Sequence, residues 1–389
     1  MVLFWTVLLW TIVLIVLPFY FLANSTDYAS ASPAFRGSAF APFPCGNGSA
    51  ATPIGRRMNF YGLTFAFYFV NLLKIMVNKN LSTKYFILQA LRKSSTPVSG
   101  ESIAQECGLS RTAVWKAVQA LVSSGYGIES VANGYVLQKD LADSICPWEF
   151  GAKEKLFCYY GTTDSTMVQA RKVVQEIQSG EKLKIVIADK QTKGVGQKGR
   201  SWKTTKGSLA FTLVTKSDLP ILYSRRTVMA CQIALVNVLR KNSGRNFFVR
   251  WPNDVWSEEG KVCGVLDELY SSGGICSWQN LGVGINVSSR PSIQKTDSVF
   301  KKAEPGIRRK IIGDFITEFE LVKKDIASDT ENIALHWNSL CMDRKKEFYA
   351  KDCGIKMKFM GIDSYGSAIV EKDSVCRAIP FGTFSFEKN

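Results

Sequence analysis

Lys261 opens the alternating run GKVCGVLDELY, which reads as a strand, and Asn253 and Asp254 close FFVRWPND, a strand that Pro252 must end. Side chains at strand ends often serve chemistry, although Lys261 could equally be one more solvated lysine among 49 basic residues. Between KIVIADKQ and the next strand lies TKGVGQKGRSW. There Gly194, Gly196 and Gly199 allow close backbone approach to a phosphate or carboxylate, and Lys193, Lys198 and Arg200 supply positive charge, although a Gly/Lys loop by itself is more often a mobile hairpin. Asp164, Ser165 and Thr166 stand at a loop–helix junction, where hydroxyls and free N–H groups bind a polar ligand or simply cap the helix. The chain holds a single histidine, His336, and ten cysteines with no C-x-x-C pair. His-based metal sites, histidine-dependent triads, zinc knuckles and disulfide scaffolds are therefore disfavoured. The chemistry falls to lysine, arginine, carboxylates, amides and backbone N–H groups.

These groups need elements to hold them. LFCYYGTTDSTMVQARKVV reads as strand, polar loop and helix, and KIVIADKQ as a strand feeding the glycine-rich loop. SLAFTLV follows as a strand, RRTVMACQIALVNVLRK as a long amphipathic helix, and SWQNLGVGINV as a further strand.

Upstream, Phe86, Ile87, Ala90 and Leu91 recur at helical spacing until STPVSG breaks the pattern. Ser99 caps a short helix through Cys107, Gly108-Leu109 makes the turn, and Ser110 caps RTAVWKAVQALVSSG. On this second helix Val114, Val118, Leu121 and Val122 form a buried stripe, while Arg111, Thr112, Trp115, Lys116 and Gln119 face outward. Such a pair either places its second helix in a major groove, with Arg111, Thr112 and Lys116 near phosphates or bases, or serves only as a packing or dimerisation module. YGIESVANGYVL adds two short strands around Asn133-Gly134, a wing.

The net charge is +16, dispersed along the chain, which suits anionic partners such as nucleotides, nucleic acid or an acidic protein surface. Residues 1–75 stand apart. Met1 to Leu22 and Phe60 to Met76 are apolar runs approaching the roughly 20 residues that span a bilayer, around a Ser/Ala/Pro/Gly-rich stretch that reads as disordered. The first lacks a basic flank and a clean cleavage site, a poor fit to a signal peptide. The segment is either a two-pass anchor, giving membrane association, or leader upstream of a start at Met76, leaving a cytoplasmic protein.

Taken in order, the motifs resemble the biotin protein ligase family over about residues 81–389. DSTM is similar to the family's S-T-N segment, QTKGVGQKGRSW to G-R-G-R-x-G-R-x-W, and RWPND to K-W-P-N-D. GKVCGVLDEL resembles K-x-x-G-I-L-x-E, GVGINV resembles G-x-G-I-N, and MGIDSYGSAIV resembles the opening of a small closing SH3-like domain. The resemblance implies a biotin and adenylate pocket of Ser165, Thr166, Met167, Gln191, Gly194, Val195, Gly196, Gln197, Trp202, Asn253, Gly264 and Asn286. It implies Lys261, Arg200 and Asp254 as the catalytic set, with Asp254 meeting Mg²⁺ through the nucleotide phosphates. Arg111, Thr112, Trp115 and Lys116 would contact DNA. Met167 departs from the family's usual asparagine, and Val195 and Gln197 from two arginines. Each lost charge-assisted contact is worth about 1–3 kcal/mol, which bears on holding the adenylate more than on making it.

The expected architecture is α+β: a winged helix-turn-helix over 76–140, a mixed-sheet biotin/lipoate ligase-like domain over 150–340, and an SH3-like β-barrel over 344–389. The expected activity is that of a biotin–[acetyl-CoA-carboxylase] ligase. It forms biotinyl-5'-AMP from biotin and ATP with Mg²⁺, needs no tightly bound cofactor, and transfers biotin to a lysine of a carboxyl carrier domain. Biotin-responsive repression at a biotin operator, by a homodimer formed with adenylate bound, is the second expected role. Two alternatives differ in class: a non-catalytic biotin-sensing repressor, and lipoate ligase-like acyl transfer.

Overall fold

The computed structural model describes residues 81–177, 180–328, 332–349 and 355–380. The apolar runs expected within 1–75, and the start at Met76, lie outside them. Among the described residues no helix is long and apolar enough to cross a membrane.

Three serines start the first three helices of the described residues. Ser82, Ser99 and Ser110 each accept a hydrogen bond from the backbone N–H three residues on, opening α1 (Thr83–Lys93), α2 (Gly100–Cys107) and α3 (Arg111–Ser123). Gly108 ends α2 with φ of 64°, so the tight turn into α3 needs no strained side chain. Ile87, Leu88, Ile103, Val114, Val118 and Leu121 close a small core of their own. Val122, expected in that stripe, is exposed. Each i→i+4 step drifts about 40° around a helix, and by Val122 the drift has carried the side chain off the shared face.

β1 (Gly127–Val131) and β2 (Gly134–Lys139) then form an antiparallel hairpin. Val131 pairs with Gly134, so the turn is Ala132-Asn133 rather than the expected Asn133-Gly134. Gly134 is needed for another reason: a Cβ there would lie 2.2 Å from the Val98 carbonyl oxygen, and its φ is 140°.

A seven-stranded mixed sheet carries the larger domain. It comprises β3 (Phe157–Thr163), β4 (Leu183–Gln191), β5 (Leu209–Pro220), β6 (Phe248–Arg250), β7 (Asp254–Trp256), β8 (Lys261–Ser272) and β9 (Ile275–Ile285), ordered β3-β4-β5-β9-β8-β7-β6. β3 and β4 are parallel and the other neighbours antiparallel. Alternation sorts the two faces. Ile185, Ile187, Phe211, Leu213, Leu281 and Val283 pack on α5 (Arg225–Ser243) and α6 (Ile307–Ser328). Val186 and Val214 pack on α4 (Thr166–Glu176). The expected amphipathic helix, α5, is instead buried nearly all round, 13 of its 19 residues being inaccessible. The sheet covers one side, and α6 and α7 (Asn332–Ser339) cover another.

A small antiparallel sheet is formed by β10 (Glu347–Tyr349), β11 (Lys356–Ile362), β12 (Ala368–Lys372) and β13 (Val375–Ile379). Phe359, Ile362 and Val370 continue the main core. The Trp251 indole donates to the Gly366 carbonyl at 3.2 Å and Arg226 Nε to the Ser364 carbonyl at 2.9 Å, docking the β11–β12 turn beside β6 and the start of α5.

Candidate active site

The site begins with a bare patch of sheet. Gly264 on β8 faces Gly284 on β9, and Gly282 faces Leu266. With no Cβ at these positions, larger side chains lie flat on the backbone. A Cβ on Gly284 would come within 2.2 Å of the Trp202 ring, and one on Gly282 within 2.6 Å of the Met167 sulfur. Above this floor is a cavity of about 310 Å³, within the range of small-ligand sites. Ser165, Thr166, Met167, Gln191, Val195, Gly196, Gln197, Arg200, Trp202, Asn253, Lys261, Gly264 and Asn286 line it.

At one wall Lys261 Nζ lies 2.7 Å from Asp254 Oδ1, with the carboxylate buried and the ammonium partly open. The Trp202 ring centroid is 5.7 Å from the same ammonium. Asp254 itself stands behind the lining. The expected strand end at Pro252 is instead a turn: Asp254 starts β7 and pairs with Gly264, which brings the carboxylate across to Lys261. Asn253 braces that turn. Its Nδ2 donates to the Val265 carbonyl, and Val265 N–H donates to the Asn253 carbonyl at 2.8 Å. Asn286 holds the other side of Lys261, donating to the carbonyls of Asp297 at 3.0 Å and Lys261 at 3.4 Å. Lys261 N–H donates to the Lys295 carbonyl, and Asp297 N–H to the Lys261 carbonyl. The buried Asn286 Oδ1 and Trp202 Nε1 have no hydrogen-bond partner among the described residues. Among those residues no three side chains of metal-ligating type gather.

The opposite end is a hydroxyl–amide cluster. Gln191 Oε1 accepts from Thr166 N–H at 2.8 Å and from the Thr166 hydroxyl at 3.1 Å, and Thr212 donates to that hydroxyl at 2.9 Å. Ser165 caps α4, accepting from Met167 N–H at 3.3 Å. The junction caps a helix, and Ser165 and Thr166, but not Asp164, also line the cavity.

The glycine-rich loop is a hairpin. Trp202 N–H donates to the Gly194 carbonyl at 2.8 Å and Gly196 N–H to the Arg200 carbonyl at 2.6 Å. Gly194 is thus required by self-packing, since its Cβ would meet the Trp202 carbonyl oxygen at 2.5 Å. It does not line the cavity. Arg200 Nε turns back to the Gln197 carbonyl at 3.2 Å. Val195 and Gln197 both face the cavity, so the positions lacking arginine are rim positions. Sequence reading missed Lys203, Leu266, Gly282, Gly284, Pro291, Ile293 and Thr296, which also line it. The alternate glycines Gly282 and Gly284 carried a signal, since neither suits a strand interior unless something approaches closely. The segment 291–296 carried none.

On the helix-turn-helix, Arg111, Thr112, Trp115 and Lys116 are all exposed, Trp115 to 52%. The Arg111 guanidinium sits 3.5 Å from Glu101, a loose pair in open solvent.

Comparison with known proteins gives two family matches. Residues 161–286 match the biotin/lipoate A/B protein ligase family, and residues 83–136 match an HTH domain family. The chain is 28% identical over 200 residues to the bifunctional ligase/repressor BirA of Bacillus subtilis (strain 168), covering 50% of this chain and 62% of that protein. It is 25% identical over 298 residues to the protein of the same name in Escherichia coli (strain K12), covering 72% and 89%. The B. subtilis protein and the one of the same name from Bacillus spizizenii (strain ATCC 23059 / NRRL B-14472 / W23) are spanned for less than two thirds of their length, 62% and 61%. Among solved structures, the biotin protein ligase from Aquifex aeolicus in complex with biotin and ATP superposes with a TM-score of 0.51. That likeness, at 22% identity, covers 60% of this chain and 100% of the other, and it establishes the fold of the larger domain.

Proposed function

From a chain that joins a biotin/lipoate protein ligase domain to a helix-turn-helix domain, we propose a bifunctional biotin ligase and biotin-responsive repressor. In the first step the biotin carboxylate attacks the α-phosphate of ATP, forming biotinyl-5'-AMP and releasing pyrophosphate. In the second, the amine of a carrier-domain lysine attacks the acyl carbonyl and AMP leaves. The observation that carries this reading is Lys261, an ammonium fixed on a strand and opening into a cavity floored by bare glycines. There it can neutralise the carboxylate and the α-phosphate while charge passes between them. Asp254 orients that ammonium through the 2.7 Å ion pair. Mg²⁺ arrives with the nucleotide phosphates, and one already paired carboxylate is no cage for a resident ion. Trp202 and the hairpin cover the adenylate against water.

Biotin-dependent exchange of label between pyrophosphate and ATP tests this reading. Exchange with biotin and none with lipoate is the expected result. Lipoate-dependent exchange would favour the related acyl transfer, and biotin binding without exchange a non-catalytic sensor.

The domain limits 76–140, 150–340 and 344–389 belong to this reading, as do β1–β2 as a wing and the C-terminal sheet as an SH3-like barrel. So do a carboxyl carrier domain as acceptor and a homodimer on paired half-sites when adenylate is bound. A substrate of ATP and eight described cysteines without disulfides suit the cytoplasm.

For the repressor half, replacing Arg111 and Lys116 together by alanine is expected to weaken operator binding and leave exchange unchanged. Each lost phosphate contact lowers the salt slope of binding by roughly 0.9. Fluorescence anisotropy over a salt series reads this. An unchanged slope would remove both side chains from the interface.

A further inference from the structure

Three consecutive residues divide between the two cores. Trp148 packs against the helix-turn-helix core, Phe150 stacks on Phe157 of the ligase core at 3.9 Å, and Glu149 lies between them. The Glu149 side chain is only 2% exposed. Its carboxylate accepts from both ends of the Arg92 guanidinium, at 2.9 and 2.8 Å, and from the Tyr126 hydroxyl at 2.5 Å. Both donors belong to the helix-turn-helix domain. From the other side Arg309, near the start of α6, donates at 2.9 Å. A buried carboxylate is tolerated where several donors satisfy it, and removing one partner leaves the rest mispaired.

We infer that Glu149 is a positioning residue for the repressor function: it clasps the helix-turn-helix domain to α6 and so joins DNA recognition to the state of the ligase cavity. The clasp reaches the cavity by a short run of chain. Thr296 lines the cavity, and Asp297 bonds the Lys261 backbone and the Arg245 guanidinium. α6 begins at Ile307. Ligand that orders the 291–297 wall therefore acts on the segment leading into Arg309. With Glu149 in place the recognition helix follows the ligase domain as part of one body. Without it, the two domains keep their own cores and lose one of the ties between them, while Arg308–Asp143 and the packing of Trp148 remain. Neither Arg92 nor Glu149 lies on the exposed face of α3, so the effect on DNA is indirect.

The inference rests on the proposed ligase and repressor reading, and calorimetry separates its failure from the failure of that reading. The full chain, Glu149→Gln and Arg309→Gln are each unfolded by scanning calorimetry with and without biotin and ATP. The unaltered chain is expected to unfold in one transition, moved up as a whole by ligand. Each variant is expected to release an earlier transition that ligand does not move, with pyrophosphate exchange within about twofold of the original. On a duplex selected from a random pool by the unaltered chain, the gain in affinity from biotin and ATP is expected to fall to within about twofold of none. A single, fully ligand-shifted transition in both variants overturns the clasp, as does an unliganded-type early transition already present in the unaltered chain. If Glu149→Gln does not fold, Arg309→Gln gives the same reading from the partly exposed side. If the unaltered chain selects no duplex, the repressor reading fails while the calorimetry still decides the clasp.

Discussion

Replacing Lys261 by alanine is expected to lower biotin-dependent pyrophosphate exchange by about a hundred- to a thousandfold or more, the loss seen when a preorganised donor to developing charge is removed. The ammonium is the cation that opens into the cavity from a strand, where its backbone is held on both sides by Lys295 and Asp297. Its removal also takes from buried Asp254 its ion-pair partner, so a modest drop in melting temperature is expected beside the kinetic effect. Lys261→Arg separates the two. It restores a cation for Asp254 and hence stability, but the planar fork cannot sit where a compact ammonium did, and exchange stays low. Exchange within a few-fold of the original in Lys261→Ala would deny the residue a catalytic role, whatever happened to stability.

Lys261 was legible in the sequence because strand alternation put it at the head of β8, whereas Pro252 suggested a strand end for Asp254, which instead opens β7. Their 2.7 Å approach was not legible. It depends on β7 returning antiparallel after the Pro252 turn and on Asp254 falling opposite Gly264, a matter of register between short strands. The helix-turn-helix was readable almost to the residue, because serine caps and a left-handed glycine are local devices. Helix α5 was misread as amphipathic for the opposite reason. Burial on all sides is imposed by α6 and α7, far along the chain, and its own spacing says nothing of them.

The glycine-rich loop shows the same division. Its glycines suggested backbone drawn up to an anion, yet Gly194 serves the hairpin itself, against the Trp202 carbonyl. Charge was legible at Arg200, and its turn back onto Gln197 was not. What sequence reading passed over was the floor. Gly282 and Gly284 carry no charge or hydroxyl and drew no chemical reading. Their contribution is an absence of side chain, which acquires meaning only when Met167 and Trp202 are laid upon it.

That floor sets the second large expectation. Gly284→Ala adds one methyl, yet its Cβ would stand 2.2 Å from Trp202 Cε2, 2.5 Å from Nε1 and 2.6 Å from Cζ2. The indole must lift by about 1 Å or rotate away, because normal carbon contacts begin near 3.5 Å. The hairpin bond from Trp202 N–H to the Gly194 carbonyl holds its backbone, so the movement falls on the side chain and into the cavity. A displacement of that size beside reacting groups costs on the order of a hundredfold, and exchange is expected to fall by that factor. Overpacking costs about 1–3 kcal/mol in stability, a shift measurable by thermal unfolding. The double variant Gly284→Ala with Trp202→Ala identifies the cause. If the methyl acts by displacing the indole, the double variant is no slower than Trp202→Ala alone, since the two changes remove one interaction. Losses that instead multiply would show that Gly284 meets the substrate directly, and that the bare strand, rather than the ring resting on it, is what the ligand touches.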